Sequence, residues 1–189
     1  MKSPRIFKVI IAALVLAQPL PVLATDAQFI APADAPSEVM IAAPTEPGER
    51  FVVHGRVMDG AAPISGASVY VYHADAKGFY SADGKQDGRN HALVARLHGA
   101  IRTDAKGVFQ YETVNPSGYG GAPAHVHYVV SAAGYKDFAL ELMFEGDPTI
   151  PPDLASRYKN PQYQLSIQPV VRDGNGIWRC THDMALVRE

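Results

Sequence analysis

From about residue 50 onward the chain is cut into short β-branched and aromatic runs. Each is closed by glycine, proline or Asx turn chemistry, and that punctuation limits the fold more than any other feature. Phe51-Val52-Val53-His54-Gly55-Arg56-Val57-Met58 has the character of a strand and stops at Asp59-Gly60. Pro63 to Gly66 makes a turn. Ala67 to His73 then alternates, with Val69 and Val71 on one face and Tyr70 and Tyr72 on the other. Gly99 to Arg102 and Val108 to Thr113 flank the turn Thr103-Asp104-Ala105-Lys106-Gly107, and His125 to Ser131 and Phe138 to Phe144 read as further strands. Asp83 to Asn90 and Asn115 to Pro123 are loops, and Gly146 to Pro161 holds only a brief helical turn near Asp153–Tyr158. Tyr163 to Val171 and Ile177 to Val187 form an expected terminal hairpin across Asp173-Gly174-Asn175-Gly176. The series predicts an all-β domain, an antiparallel β-sandwich, and gives helix-rich arrangements little support.

The 189 residues suit one domain, and a composition of 47% apolar and 19% charged residues is that of a globular protein. A formal net charge of -2 offers no basic footprint for a nucleic acid or an anionic membrane. Lys2, Arg5 and Lys8 precede an apolar run from Val9 to Ala17, which Gln18, Pro19 and Pro21 break before Val22-Leu23-Ala24. The run is shorter than the roughly 20 residues of a membrane span, so residues 1–24 read as a signal peptide cleaved after Ala24. Residues 25–47, rich in Ala, Pro and Glu, are expected to form an extended arm, and residues 48–189 the sandwich. The single cysteine, Cys180, excludes an intrachain disulfide, and an exported chain without one fits a periplasm. Its alternating surroundings make it a buried small hydrophobe rather than a catalytic thiol.

His125-Val126-His127 is the sharpest local feature. On a strand, residues i and i+2 share a face, so both imidazoles can reach one metal ion. They can equally be two histidines satisfied by backbone or water, and the spacing leaves both readings open. Zinc sites draw on Cys, His and carboxylates, and the ferrous facial triad needs a carboxylate. Before His125 the nearest acidic residue is Glu112, beyond a loop. Tyr119 lies in that loop and Tyr80 follows a strand end, but tyrosines in a sandwich are ordinarily core, and spacing does not join them to the histidines.

A series of segments in order resembles the intradiol ring-cleavage dioxygenases, in particular their protocatechuate 3,4-dioxygenase branch. The segments are Gly48-Glu49-Arg50-Phe51-Val52-Val53-His54-Gly55-Arg56-Val57, Pro63-Ile64-Ser65-Gly66-Ala67-Ser68-Val69, His73-Ala74-Asp75-Ala76-Lys77-Gly78-Phe79-Tyr80, Arg102-Thr103-Asp104-Ala105-Lys106-Gly107-Val108-Phe109, Pro123-Ala124-His125-Val126-His127-Tyr128 and Phe144-Glu145-Gly146-Asp147-Pro148. The resemblance implies the family's prealbumin-like β-sandwich and non-haem Fe(III) held by Tyr80, Tyr119, His125 and His127, with Tyr80 and His125 equatorial and Tyr119 and His127 axial. Phenolate oxygen is a hard anionic donor suited to ferric iron, and two phenolates with one hydroxide balance its charge, so the buried site is neutral. The implied reaction takes a catecholic substrate and O2 to a muconate-type diacid, with the displaced Tyr119 accepting a catechol proton as a catalytic base. The resemblance also allows a homo-oligomer.

Two positions depart from the family. Ala122 stands where an arginine usually precedes the Pro-Ala-His motif, and loss of one such electrostatic contact costs about 3–4 kcal/mol of transition-state stabilisation. Arg96 and Arg102 are candidates to replace it, although each also reads as an ordinary surface or ladder arginine. Glu141 stands where the branch usually has glutamine, and is assigned to substrate binding as a charge that repels an acidic ring substituent; a solvent-facing position is the other reading. The loop from Tyr119 to His125 is shorter than in the protocatechuate enzymes, which predicts a more open pocket. Two further readings stand beside the enzyme: a non-enzymatic transthyretin-like binding module, and an iron-binding relative without activity.

Overall fold

The computed structural model describes residues 27–84, 93, 95–154 and 163–189. The expected signal peptide and most of the brief helix near Asp153–Tyr158 lie outside these residues. Strand β1 is Glu38–Met40, β2 Arg50–Asp59, β3 Ala62–Pro63, β4 Ser68–His73, β5 Leu97–Arg102 and β6 Val108–Val114. They are followed by β7 His125–Ser131, β8 Phe138–Phe144, β9 Tyr163–Gln168, β10 Val170–Arg172, β11 Trp178–Thr181 and β12 Met184–Ala185. One sheet runs β1-β6-β2-β11-β10, with β3 and β12 also on β2, and the other runs β5-β4-β7-β8-β9.

The sandwich follows from period-2 alternation. Phe51, Val53 and Val57 of β2, Phe109 and Tyr111 of β6 and Cys180 of β11 face Val69 and Val71 of β4, Val126, Tyr128 and Val130 of β7, and Leu140 and Leu142 of β8. Burying each such aliphatic or aromatic side chain stabilises the fold by about 1.5–3 kcal/mol. The hydroxyls of Tyr111 and Tyr128 meet at 2.5 Å across the two sheets and so satisfy each other inside the core. Cys180 is buried here as a small hydrophobe, and burial pushes its thiol up to about 11. Gly55 is required by a close approach: a Cβ on it would sit 1.9 Å from the carbonyl oxygen of His182, where the chain after β11 passes β2.

The sheets are mixed rather than purely antiparallel. The pairs β2–β6, β4–β5, β4–β7 and β7–β8 are antiparallel, whereas β1–β6, β11–β2, β12–β2 and β8–β9 are parallel. The expected terminal hairpin is therefore only half formed. β10 and β11 pair antiparallel around Asp173–Gly176, but β9 leaves for the other sheet. Pro169 stands at the divide, lacking the N–H that would continue one ladder, so a single apparent strand becomes two.

The arm is woven into the domain. Phe29 is buried edge-on against Tyr70 at 5.1 Å, Ala31 N–H donates to Ser68 Oγ, and β1 extends the sheet beside β6. Among the described residues no helix is long and apolar enough to cross a membrane.

Candidate metal centre

The face of the β5-β4-β7-β8-β9 sheet turned away from the core carries Tyr70 and Tyr72 of β4 and His125, His127 and Val129 of β7. Register sets the neighbours: Tyr72 lies opposite His127, and His127 lies opposite Glu141 of β8. Strand geometry thus puts both histidines on this face.

Two loops bring the tyrosines. Asp75 builds the first: its Oδ1 accepts the amides of Lys77 and Phe79 at 2.8 and 3.0 Å. Burial by itself would raise its carboxyl, but those amides and the Arg96 guanidinium hold it below the usual range. The same Asp-Ala-Lys-Gly tetrapeptide forms the β5–β6 turn, where Asp104 Oδ1 accepts from Lys106 and Val108. Gly78 has a φ of +84°, and a Cβ there would lie 2.8 Å from Gly118 O and 3.2 Å from Tyr119 Cβ. Only glycine lets the Tyr80 loop lie this close to the Tyr119 loop. Ser117 N–H also donates to the Asp75 carbonyl, so one residue ties both loops together. Tyr119 and Ala122 then pair across Gly120 and Gly121, both at positive φ, in a tight turn. Asp147, from the Glu145-Gly146-Asp147-Pro148 stretch, accepts the Ala124 amide at 3.1 Å and pins the entry to His125.

The four side chains converge. Tyr80 Oη lies 3.2 Å from Tyr119 Oη, 3.0 Å from His127 Nε2 and 3.5 Å from His125 Nε2. Tyr119 Oη is 3.4 Å from His125 Nε2, and the two Nε2 atoms are 3.0 Å apart. Tyr80, His125 and His127 are buried, and Tyr119 is partly so. His125 Nδ1 lies 2.7 Å from Pro123 O; as a donor to that carbonyl it leaves Nε2 a lone-pair acceptor. His127 Nδ1 faces Glu141 Oε1 at 3.5 Å, so its Nε2 is the ring nitrogen turned toward the phenols. Two imidazole nitrogens 3.0 Å apart, with two phenol oxygens beside them, make a socket for a cation. Burial pushes the Tyr80 phenol far above its ordinary value, helped by Tyr119, and pushes Tyr119 up to about 12. A bound cation would reverse that preference and hold the phenolates. Two hard anionic oxygens with two imidazoles fit a small, hard ion such as Fe(III).

Glu141 is buried rather than solvent-facing, with 7% of its surface exposed, and lies behind His127. His125, His127 and Glu141 also present ligand-type atoms within 4.8 Å of one another. Because the carboxylate approaches Nδ1 of His127 while Nε2 points at the phenols, Glu141 backs the donor set. Arg96 does not take the place of the family arginine: it is held bidentate by Glu46 at 2.7 and 2.6 Å and by Asp75 at 2.9 Å. Arg102 instead binds the carbonyls of Ala31, Pro32 and Gly66.

The family model described as Dioxygenase matches residues 25–186. The chain belongs to the intradiol dioxygenase family. It is 32% identical over 151 residues to catechol 1,2-dioxygenase 2 of Acinetobacter lwoffii, covering 69% of this chain and 53% of that protein. It is 32% identical over 114 residues to the protocatechuate 3,4-dioxygenase beta chain of Burkholderia cepacia, covering 54% of this chain and 48% of that one. The structure of catechol 1,2-dioxygenase from Acinetobacter sp. ADP1 inhibited by bound mercury superposes with a TM-score of 0.63 at 26% identity, over 82% of this chain and 59% of that chain. This intradiol family member thus spans about half the length of the curated relatives it matches. Catechol and protocatechuate enzymes both stand among them, so the protocatechuate branch is not singled out.

Proposed function

We propose that this family member is a ferric intradiol dioxygenase that inserts both atoms of O2 into a catecholic ring to give a muconate-type diacid. The observation that carries the reading is the meeting of Tyr80, Tyr119, His125 and His127 at one point in a chain of this family. Those four side chains would hold the iron, which supplies the Lewis-acid activation of a bound catecholate toward O2.

The protein's own part is binding, orientation and proton handling. His125 and His127 sit on the central β7, flanked by paired strands, so their spacing is rigid. Tyr80 is clamped by its Asx loop and by Arg96 N–H donating to its carbonyl at 2.9 Å. Tyr119 rides on a glycine turn and is the least buried of the four. As a phenolate it is the general base placed to take a catechol hydroxyl proton while the substrate enters. Tyr72 stacks on His127 at 4.5 Å and 12°, holding that ring in plane and walling the site with an apolar surface.

We further propose that the protein acts outside the cytoplasm, probed by mass spectrometry of the mature N-terminus for cleavage after Ala24. The enzymatic reading is tested by loading the purified protein with ferric iron and recording its visible spectrum and its oxygen uptake with a panel of catechols. A red-brown phenolate-to-iron band and O2 consumption are expected, and Tyr80→Phe should lose most of the colour. A colourless protein without iron would falsify this reading. Colour without O2 uptake would leave an iron-binding relative that lacks turnover.

A further inference from the structure

The two histidines of the motif are backed differently. His125 Nδ1 meets a neutral backbone carbonyl, Pro123 O, at 2.7 Å. His127 Nδ1 meets the carboxylate of Glu141 at 3.5 Å, inside the protein, with both side chains about nine-tenths buried. Register makes the contact a property of the sheet: His127 and Glu141 are directly opposed on β7 and β8, and Tyr72, opposed to His127 from β4, stacks on the same ring. The imidazole is thus held in plane by one neighbour and supplied with a negative charge by the other.

We propose that Glu141 is a positioning residue for the metal centre: it fixes His127 as the Nδ1–H tautomer and makes it the stronger imidazole donor of the pair. The proposal rests on the ferric reading above. A carboxylate accepting from the distal N–H of a ligating histidine raises that ligand's basicity, and loss of such a partner costs about 10–100-fold in metal affinity. A glutamine in its place can accept the same N–H but brings no charge. Glu141 thereby makes this centre more electron-rich, and so favours the ferric over the ferrous state. It also gives Glu141 a role that needs no contact with substrate.

The test compares wild type with Glu141→Gln and Glu141→Asp, each loaded with ferric iron. Glu141→Gln, which keeps an acceptor but removes the charge, should move the phenolate-to-iron band to longer wavelength, raise the reduction potential, and raise the ferric dissociation constant, measured by chelator competition, by about 10-fold. Glu141→Asp, which keeps the charge, should recover part of each change. In metal-free wild type, imidazole nitrogen NMR should find the His127 proton on Nδ1, a readout that needs no variant. Band, potential and affinity unchanged in Glu141→Gln, or a His127 proton on Nε2, overturns the proposal. An iron-free, colourless wild type overturns the ferric reading and this proposal with it. A coloured wild type indistinguishable from Glu141→Gln overturns this proposal and leaves the ferric reading standing.

Discussion

His182 gives the fold a built-in acid sensitivity whose size follows from its surroundings. It lies just after β11, is 2% exposed, and packs edge-on against Tyr128 at 5.2 Å. Its Nδ1 finds no hydrogen-bond partner among the described residues. Burial pushes its pKa down from 6.5 to about 4, and the neighbouring Asp183 offsets only part of that. The folded protein therefore keeps the ring neutral while the unfolded chain takes up a proton on acidification. Stability from this residue is fully present above pH 6.5 and is lost as pH falls toward about 4. The slope approaches about 1.4 kcal/mol per pH unit inside that window, which amounts to about 2 kcal/mol between pH 7 and pH 5. His182→Leu removes the titrating group at similar volume. Urea unfolding of both proteins near pH 7, 6 and 5 should give a variant that loses about 2 kcal/mol less than wild type over the range. His73, equally buried and likewise pushed down to about 4, stays in both proteins and cancels in the comparison. Parallel pH dependences for the two proteins would refute the reasoning.

Two further substitutions probe the site's supports. Arg96→Met strands the carboxylates of Glu46 and Asp75 together without their cation; it should cost about 2–3 kcal/mol, lower the Tm by about 5–10 °C, and loosen the Tyr80 loop enough to weaken iron binding in a chelator titration. Ala122→Arg returns a cation to the turn beside Tyr119 and should raise kcat on catechol about 100-fold in the iron-loaded protein; steady-state oxygen uptake equal to wild type would mean that the missing contact is not what limits turnover.

Much of the fold was legible because period 2 reports faces directly. The split of Val69 and Val71 from Tyr70 and Tyr72 is the split between core and site, and His125–Ser131 and Phe138–Phe144 begin and end as their patterns indicate. Alternation says nothing about the direction of a partner strand, so the parallel pairs were invisible. A lone proline within an apolar run did not announce that β9 and β10 belong to different sheets, although Pro169 was the available signal. His125 and His127 declared a shared face through spacing. Tyr80 and Tyr119 did not, because each is placed by loop backbone: Asp75 and Gly78 for one, Gly120 and Gly121 for the other. Resemblance supplied what spacing could not. The contact between Glu141 and His127 needed the β7–β8 register, which no single segment encodes. The contact of Asp147 with the Ala124 amide escaped for the same reason, and its one trace in the sequence is the Glu145-Gly146-Asp147-Pro148 stretch within a segment that carries the resemblance.

The division at Pro169 also has a mechanical side. The chain passes from the edge of one sheet, at β9, into the other at β10, and then runs β11 and β12 parallel to β2. Force applied between the start of β2 and the C-terminus pulls parallel neighbours from opposite ends. It therefore loads their hydrogen bonds together in shear rather than opening them one after another like a zip. The segment after Pro169 is in effect a lap joint glued along β2, which yields only when many bonds fail together.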